Sequence, residues 1–233
     1  MKALLPALVL ATLATAAPAA AADRNFSITS FDRVRVQGPY KVTLTTGVAP
    51  FAVATGSNEA LDRVSVEVEG RTLVVGASTS SWGGYPGQAT GPVEISVGTH
   101  DLSAAWINGA GTLAIDRVRG LEFDLSLQGS GSAAIANAEV DVLKVGLSGS
   151  GSASVAGKAP RLTAIVRGTS SLDAGGLVTK DAVVGAEGPA DVSFVATDSA
   201  KIDARGTSSV KVDGNPACTV KADGSAVVTG CRQ

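Results

Sequence analysis

The pentapeptide Gln128-Gly129-Ser130-Gly131-Ser132 recurs in degraded form through the second half of the chain, and its spacing limits what the chain can fold into. Marking the first glycine of each copy gives Gly109, Gly129, Gly149, Gly168, Gly188, Gly206 and Gly224, separated by 20, 20, 19, 20, 18 and 18 residues. A period near twenty is the mark of a solenoid, in which each repeat is one coil that buries its apolar face only when neighbours stack on it. A propeller blade would need about 40 residues.

Registering the copies on the marked glycine tests this position by position. Two and four residues before the mark every copy is apolar, from Ile107 and Ala105 in the first to Ala222 and Val220 in the last. Four residues after it stand Leu113, Ala133, Ala153, Leu172, Val192, Val210 and Val228; six after it, only Gly230 of the last copy lacks an apolar side chain. Strand side chains alternate faces, so this parity predicts two short strands per coil, turning the same face inward, with a bend at the glycine. Two residues past the mark only Gly, Ser or Ala occurs, as in Gly131, Ser170 and Ala190, which fits an inward corner with no room for more. Stacked coils pair like with like in parallel. The expected fold is therefore all-β: a right-handed parallel β-helix with coils of about 18–20 residues, its hand following the rule for parallel crossovers. Calcium-binding β-rolls place Asp after their glycines, whereas here those places hold Ser, Thr and Ala, with Asp191 in one copy alone. No metal is expected on this pattern.

The first third is β-rich without the repeat. Phe31 to Thr45 alternates around a break at Gly38-Pro39, Phe51 to Ala54 is a further strand, and Asn58 to Asp62 suits one helical turn or a tight loop. Val64, Val66 and Val68 alternate again, and Glu69-Gly70-Arg71 is a hairpin turn into Thr72 to Gly76. From Ala77 to Pro92 the alternation stops, and Val93, Ile95 and Val97 resume it. Residues 23–102 thus read as an N-terminal β section and residues 103–233 as the β-helical repeat section.

Met1-Lys2 leads into an uncharged Leu/Ala/Val run that reaches Ala20-Ala21-Ala22, with Asp23-Arg24 beyond. This is the pattern of a bacterial secretory signal peptide, and cleavage is expected after Ala22, so that residues 1–22 are lost. The back half of the run is too weakly hydrophobic for an anchor, so the mature chain is not expected to span a membrane. A net charge of −2 with no Lys/Arg cluster leaves nothing to hold a phosphate backbone, which excludes nucleic acid as a partner. Cys218 and Cys231 are the two cysteines, and in an exported chain the pair reads as a disulfide clamping the last coil.

Candidate functional residues are few. The 77–92 loop is polar and glycine-rich and carries Trp82 and Tyr85; it reads either as a mobile hairpin tip whose aromatics fold back on the nearest coil or as a binding loop whose aromatics stack on a sugar ring or a partner surface. An outward row of hydroxyls, including Ser130, Ser132, Ser150 and Ser152, suits a solvated face or a glycan contact. A second outward row contains Trp106, Ile165 and Val183, apolar enough to predict a cover from the first-third strands or a second subunit. Glycan-cleaving chemistry needs converging carboxylates, or a carboxylate beside Arg or Lys. Asp124, Lys144, Asp203 and Lys221 scatter singly over outward rows, Glu94, Asp116 and Glu122 are isolated, and His100 beside Asp101 has no Ser or Cys partner. No catalytic, cofactor-binding or metal-ligating residues are assigned, and the chain reads as non-enzymatic.

The order of features resembles one family. The run Phe31-Asp32-Arg33-Val34-Arg35-Val36-Gln37-Gly38-Pro39-Tyr40-Lys41-Val42, then Gly47, then Leu61 to Leu73 with its Val-x-Val and Gly-x-x-Leu, then the Gly-Ser-Gly-Ser-Ala coils, is similar to the GIN domain, described as the head of auto-transporter adhesins. The resemblance runs roughly from Phe26 to Val228. It implies an exported β-helical protein of bacterial envelopes, with no catalytic residues to carry over. No series of ~10-residue membrane strands follows the coils before Gln233, so a periplasmic or secreted location is expected. The function expected is a non-enzymatic binding, scaffold or adhesin-like module whose ligand is an unknown envelope glycan or envelope protein. The alternatives are a polysaccharide-active enzyme on a β-helix, or a structural protein that self-associates into a homo-oligomer.

Overall fold

The computed structural model describes residues 22–78 and 92–232. Trp82 and Tyr85 lie outside the described residues. The first strands are β1 (Ala22–Phe26), β2 (Arg33–Gln37), β3 (Lys41–Thr46) and β4 (Phe51–Gly56). A single helical turn, α1 (Asn58–Leu61), follows, capped by the Ser57 side chain, which accepts from the Ala60 N–H at 3.3 Å. Then come β5 (Val64–Glu69), β6 (Thr72–Ala77), β7 (Glu94–Thr99) and β8 (Ala104–Gly109). The repeats form β9 (Thr112–Gly129), β10 (Ser132–Gly149), β11 (Ser152–Lys158), β12 (Arg161–Gly168), β13 (Ser171–Glu187), β14 (Asp191–Gly206), β15 (Ser209–Asp213), β16 (Ala217–Gly224) and β17 (Val227–Thr229).

These strands build two walls of one β-solenoid. One wall runs β6, β2, β8, the second half of β9, the second half of β10, β12, the ends of β13 and β14, and β16, all paired in parallel. The facing wall runs β7, β3, the first half of β9, the first half of β10, β11, the starts of β13 and β14, β15 and β17. The first-third strands are thus coils of the same stack. β2 and β3 lie between the β6–β7 coil, which follows them in sequence, and the β8–β9 coil. Antiparallel β5 covers β6, while β4 and then β1 cover β7.

The marked glycines stack as the repeat predicts. Gly109 lies in register with Gly129, Gly129 with Gly149, Gly149 with Gly168, and Gly206 with Gly224. All seven have positive φ, from 79° to 121°. Residues two past the mark are buried from Gly111 through Ser208. The inward rows form one continuous core in which Phe123 and Phe194 are fully enclosed. Burying side chains of this size stabilises by roughly 1.5–3 kcal/mol each.

A second corner lies opposite, and the parity of the repeat does not mark it. It falls at Gly120, at Gly157 and at Gly214, again with positive φ, and the register shifts among the repeat coils occur at this corner. The steps of 18 to 20 residues are therefore absorbed here, while the walls keep their pairing. This follows from geometry: a residue added within a wall would turn its inward side chains outward, whereas a corner has no such parity to lose.

Two expectations need correction. Trp106 is half-buried beside β2, where the Arg35 guanidinium sits 5.7 Å from its ring centroid, but no first-third strand covers Ile165 or Val183, which are 46% and 50% exposed. Those strands extend the stack along its axis rather than wrapping it, so distant coils keep their outer faces. The last coil also departs from the inward pattern. Val220 is 43% exposed and Ala222 is exposed, whereas Ile202 and Ala204 one coil before are buried.

Candidate functional site

The second corner carries a groove lined by residues of the stacked coils around Asp32, Arg71, Leu102 and Leu121. Before each strand of the first wall the backbone forms a short ladder: Asp32 and Arg33 N–H donate to Arg71 O, Ser103 N–H to Asp32 O, and Asp124 N–H to Ser103 O. Around this ladder, Thr99 to Leu102 form the connection between β7 and β8, and Arg119 to Glu122 form the bend within β9. The groove between them has a volume of about 540 Å³. Phe31 and Leu102 supply its apolar floor, Leu121 stands on its rim, and Arg71, His100 and Arg119 bring nitrogen groups to its edge.

Gly120 has φ +138°, a backbone conformation that other residues rarely adopt, with open space around it, and the residue that follows, Leu121, is 78% exposed. Its stacked equivalent is Asp141, since Gly120 pairs with Val140 and Glu122 with Val142. A leucine at an outer corner that the next coil fills with an aspartate is an apolar group without a structural use.

Most charges around the groove are held by partners. The Asp32 carboxylate accepts from Arg71 and from Ser103 Oγ, the Thr99 hydroxyl donates to Phe31 O, and Arg119 Nε donates to Glu139 Oε2 at 2.8 Å. Lys144 Nζ reaches Glu122 at 2.7 Å. Hydrogen bonds from Asn137 and Arg119 hold the Glu139 carboxyl below its ordinary value, and the bond to Glu122 raises the Lys144 ammonium above its own. Burial pushes Asp124 up, opposed by Lys144 and reinforced by Glu122. The result is a braced, apolar-floored slot with a polar rim, a form that suits binding.

The other sequence candidates lie apart from it. Glu94 pairs with Lys41 at 2.7 Å, Asp116 accepts from Thr46 N–H at 2.9 Å, and Asp203 is bidentate to Arg205. Of the residues singled out in the sequence, the structure brings His100, Asp101 and Glu122 to the groove. The hydroxyl row stacks across coils as expected, with Ser132 Oγ donating to Thr112 Oγ1 at 3.2 Å. Cys218 and Cys231 form the disulfide, with Cα atoms 5.7 Å apart. Leu121, Arg71 and Arg119 do not stand out in the sequence. The one legible signal is Leu121 in a stack position held by Asp141, and it appears only once the second corner is in register.

Comparison with known proteins agrees with the architecture. The family model described as "Putative auto-transporter adhesin, head GIN domain" matches residues 30–216. A structure described as a "putative adhesin" from Bacteroides fragilis superposes with a TM-score of 0.78 at 18% identity, covering 91% of this chain and 97% of that one. A "putative lipid binding protein" from Parabacteroides distasonis gives 0.71 at 20% identity, over 89% and 95%. A "putative adhesin" from Parabacteroides merdae gives 0.69 at 16%, over the same shares. At these identities the likeness establishes the fold. No curated protein matches the chain in sequence.

Proposed function

The chain belongs to the family described as "Putative auto-transporter adhesin, head GIN domain", and from that premise we propose that it is an exported, non-enzymatic binding module of the cell envelope. Its location is periplasmic or secreted, reached by the signal peptide at residues 1–22. Among the described residues no helix is long and apolar enough to cross a membrane. The ligand is a surface with an apolar face and a polar edge, as an envelope glycan presents, held in the groove between Thr99–Leu102 and Arg119–Glu122. The observation that carries this reading is Leu121, 78% exposed beside the apolar floor of Phe31 and Leu102 and flanked by engaged charges. The Trp82/Tyr85 segment is a second contact of the same module.

The test is retention of the exported chain on an array of envelope glycans and immobilised envelope proteins. Leu121→Asp is expected to weaken retention about tenfold, the usual cost of losing an anchor side chain, with the thermal midpoint unchanged. Leu121→Met should retain binding. Turnover of a polysaccharide that disappears in Asp101→Asn or His100→Ala would instead support an enzyme on the same scaffold.

A further inference from the structure

The two ends of the solenoid are finished differently. At the first end, antiparallel β5 lies over β6, and β4 with β1 over β7; among the described residues β5 and β1 have no partner on their outer side, but the inward residues of β5, Val64 and Val66, are 5% and 4% exposed. At the other end, β16 pairs with β14 and β17 with β15, and among the described residues neither has a partner on its outer side. The disulfide and the Arg232 N–H, which donates to Pro216 O at 3.3 Å, tie the tail across the first residues of β16 only. Thr219 to Gly224 remain as an exposed edge, with Val220 and Ala222 uncovered on its inward face.

An exposed strand edge pairs with another strand unless something prevents it. The charges on this edge do not prevent every pairing; they select one. Lys221 and Asp223 share the outward face. Elsewhere the coils are tied by pairs that close at 2.7–2.9 Å, such as Lys144 with Glu122 and Arg167 with Glu187. Asp223, by contrast, lies 3.8 Å from Lys221 and 4.0 Å from Arg205. The two longest ion pairs among the described residues therefore both involve Asp223, and Lys221 and Asp223 are each more than half exposed.

We infer that this edge is the dimer interface of the protein, occupied by β16 of a second copy in antiparallel register with Ala222 opposite Ala222. In that register Lys221 faces Asp223 of the other copy on both sides of the two-fold axis, and Val220 faces Gly224. Pairing keeps parity, so the inward residues of the two copies continue one core across the join. A slip of two residues places Lys221 against Lys221 and is disfavoured by like charge. A two-fold interface closes on itself and yields a dimer, whereas stacking this edge on the covered first end would yield an open filament. The disulfide holds the last coil in shape before association, which lowers the ordering cost of pairing.

The test is molar mass of the full chain by light scattering across a concentration series, with three variants. The native chain is expected to approach twice the monomer mass. Lys221→Asp and Asp223→Lys each place like charges across the axis and should shift the dissociation constant upward about tenfold or more, while the double exchange restores it. Ala222→Cys should form an intermolecular disulfide on oxidation, because directly opposed Cα atoms in an antiparallel pair lie within disulfide reach. A monomer at all concentrations would overturn the inference. So would a mass that grows without limit, or a dimer indifferent to the single charge reversals.

Discussion

Gly149 sits directly over Gly129, so closely that a β-carbon on Gly149 would stand 2.5 Å from the Gly129 carbonyl oxygen. The same contact recurs between Gly129 and Gly109 at 2.5 Å and between Gly168 and Gly149 at 2.4 Å. The recurrent glycine is thus a spacing device between coils as well as a turn.

Gly149→Ala is therefore expected to cost roughly 2–4 kcal/mol, combining a side chain at positive φ with a backbone contact that must open. Gly146, three residues away, provides the control. A β-carbon there meets nothing within 4 Å and its φ is ordinary, so Gly146→Ala should be neutral or stabilise by up to about 1 kcal/mol. Urea unfolding of both variants measures the difference.

A stack of coils is stabilised mainly between neighbours, so loss of the terminal clamp should stay local. Replacing Cys218 and Cys231 by Ala opens a loop of sequence separation 13, worth roughly 3 kcal/mol in the chain-entropy estimate. Hydrogen exchange should quicken in β16 and β17 and remain slow in β9 to β13. Uniform quickening across all coils would mean that the stack unfolds as one unit.

Asp124 supplies a pH-dependent term. Burial raises its folded pKa above 3.8, so the folded chain binds this proton more tightly than the unfolded chain. Stability from this group is present below 3.8 and is lost as pH rises through the raised folded value. Asp124→Asn removes the charged, partly buried state and should raise the thermal midpoint at neutral pH. The gap should close at about pH 3, where Asp124 is itself neutral. Thermal melts at the two pH values test the sign.

Much of the fold is legible in the residues because the wall positions obey a strict parity. Ile107, Leu127, Leu147 and Val166 declare the inward face, and Gly129 and Gly149 declare the first corner. The second corner is not legible, because register changes there cost nothing to the core. Gly157 and Gly214 mark it in some coils, but Val140 occupies the place of Gly120 in another. The groove depends on that corner, so Leu121 reads as one more leucine until its stack position beside Asp141 is known. The bare faces of Ile165 and Val183 were equally hidden, since their cover depended on where the first-third strands lie.

The most direct test of the binding account is the affinity of the native chain and of Leu121→Asp for the envelope glycan or protein retained on the array, measured by titration. The account predicts saturable one-site binding by the native chain and an affinity about tenfold lower in the variant, with equal thermal midpoints. Equal affinity in the two proteins would contradict it and move the binding surface away from the groove.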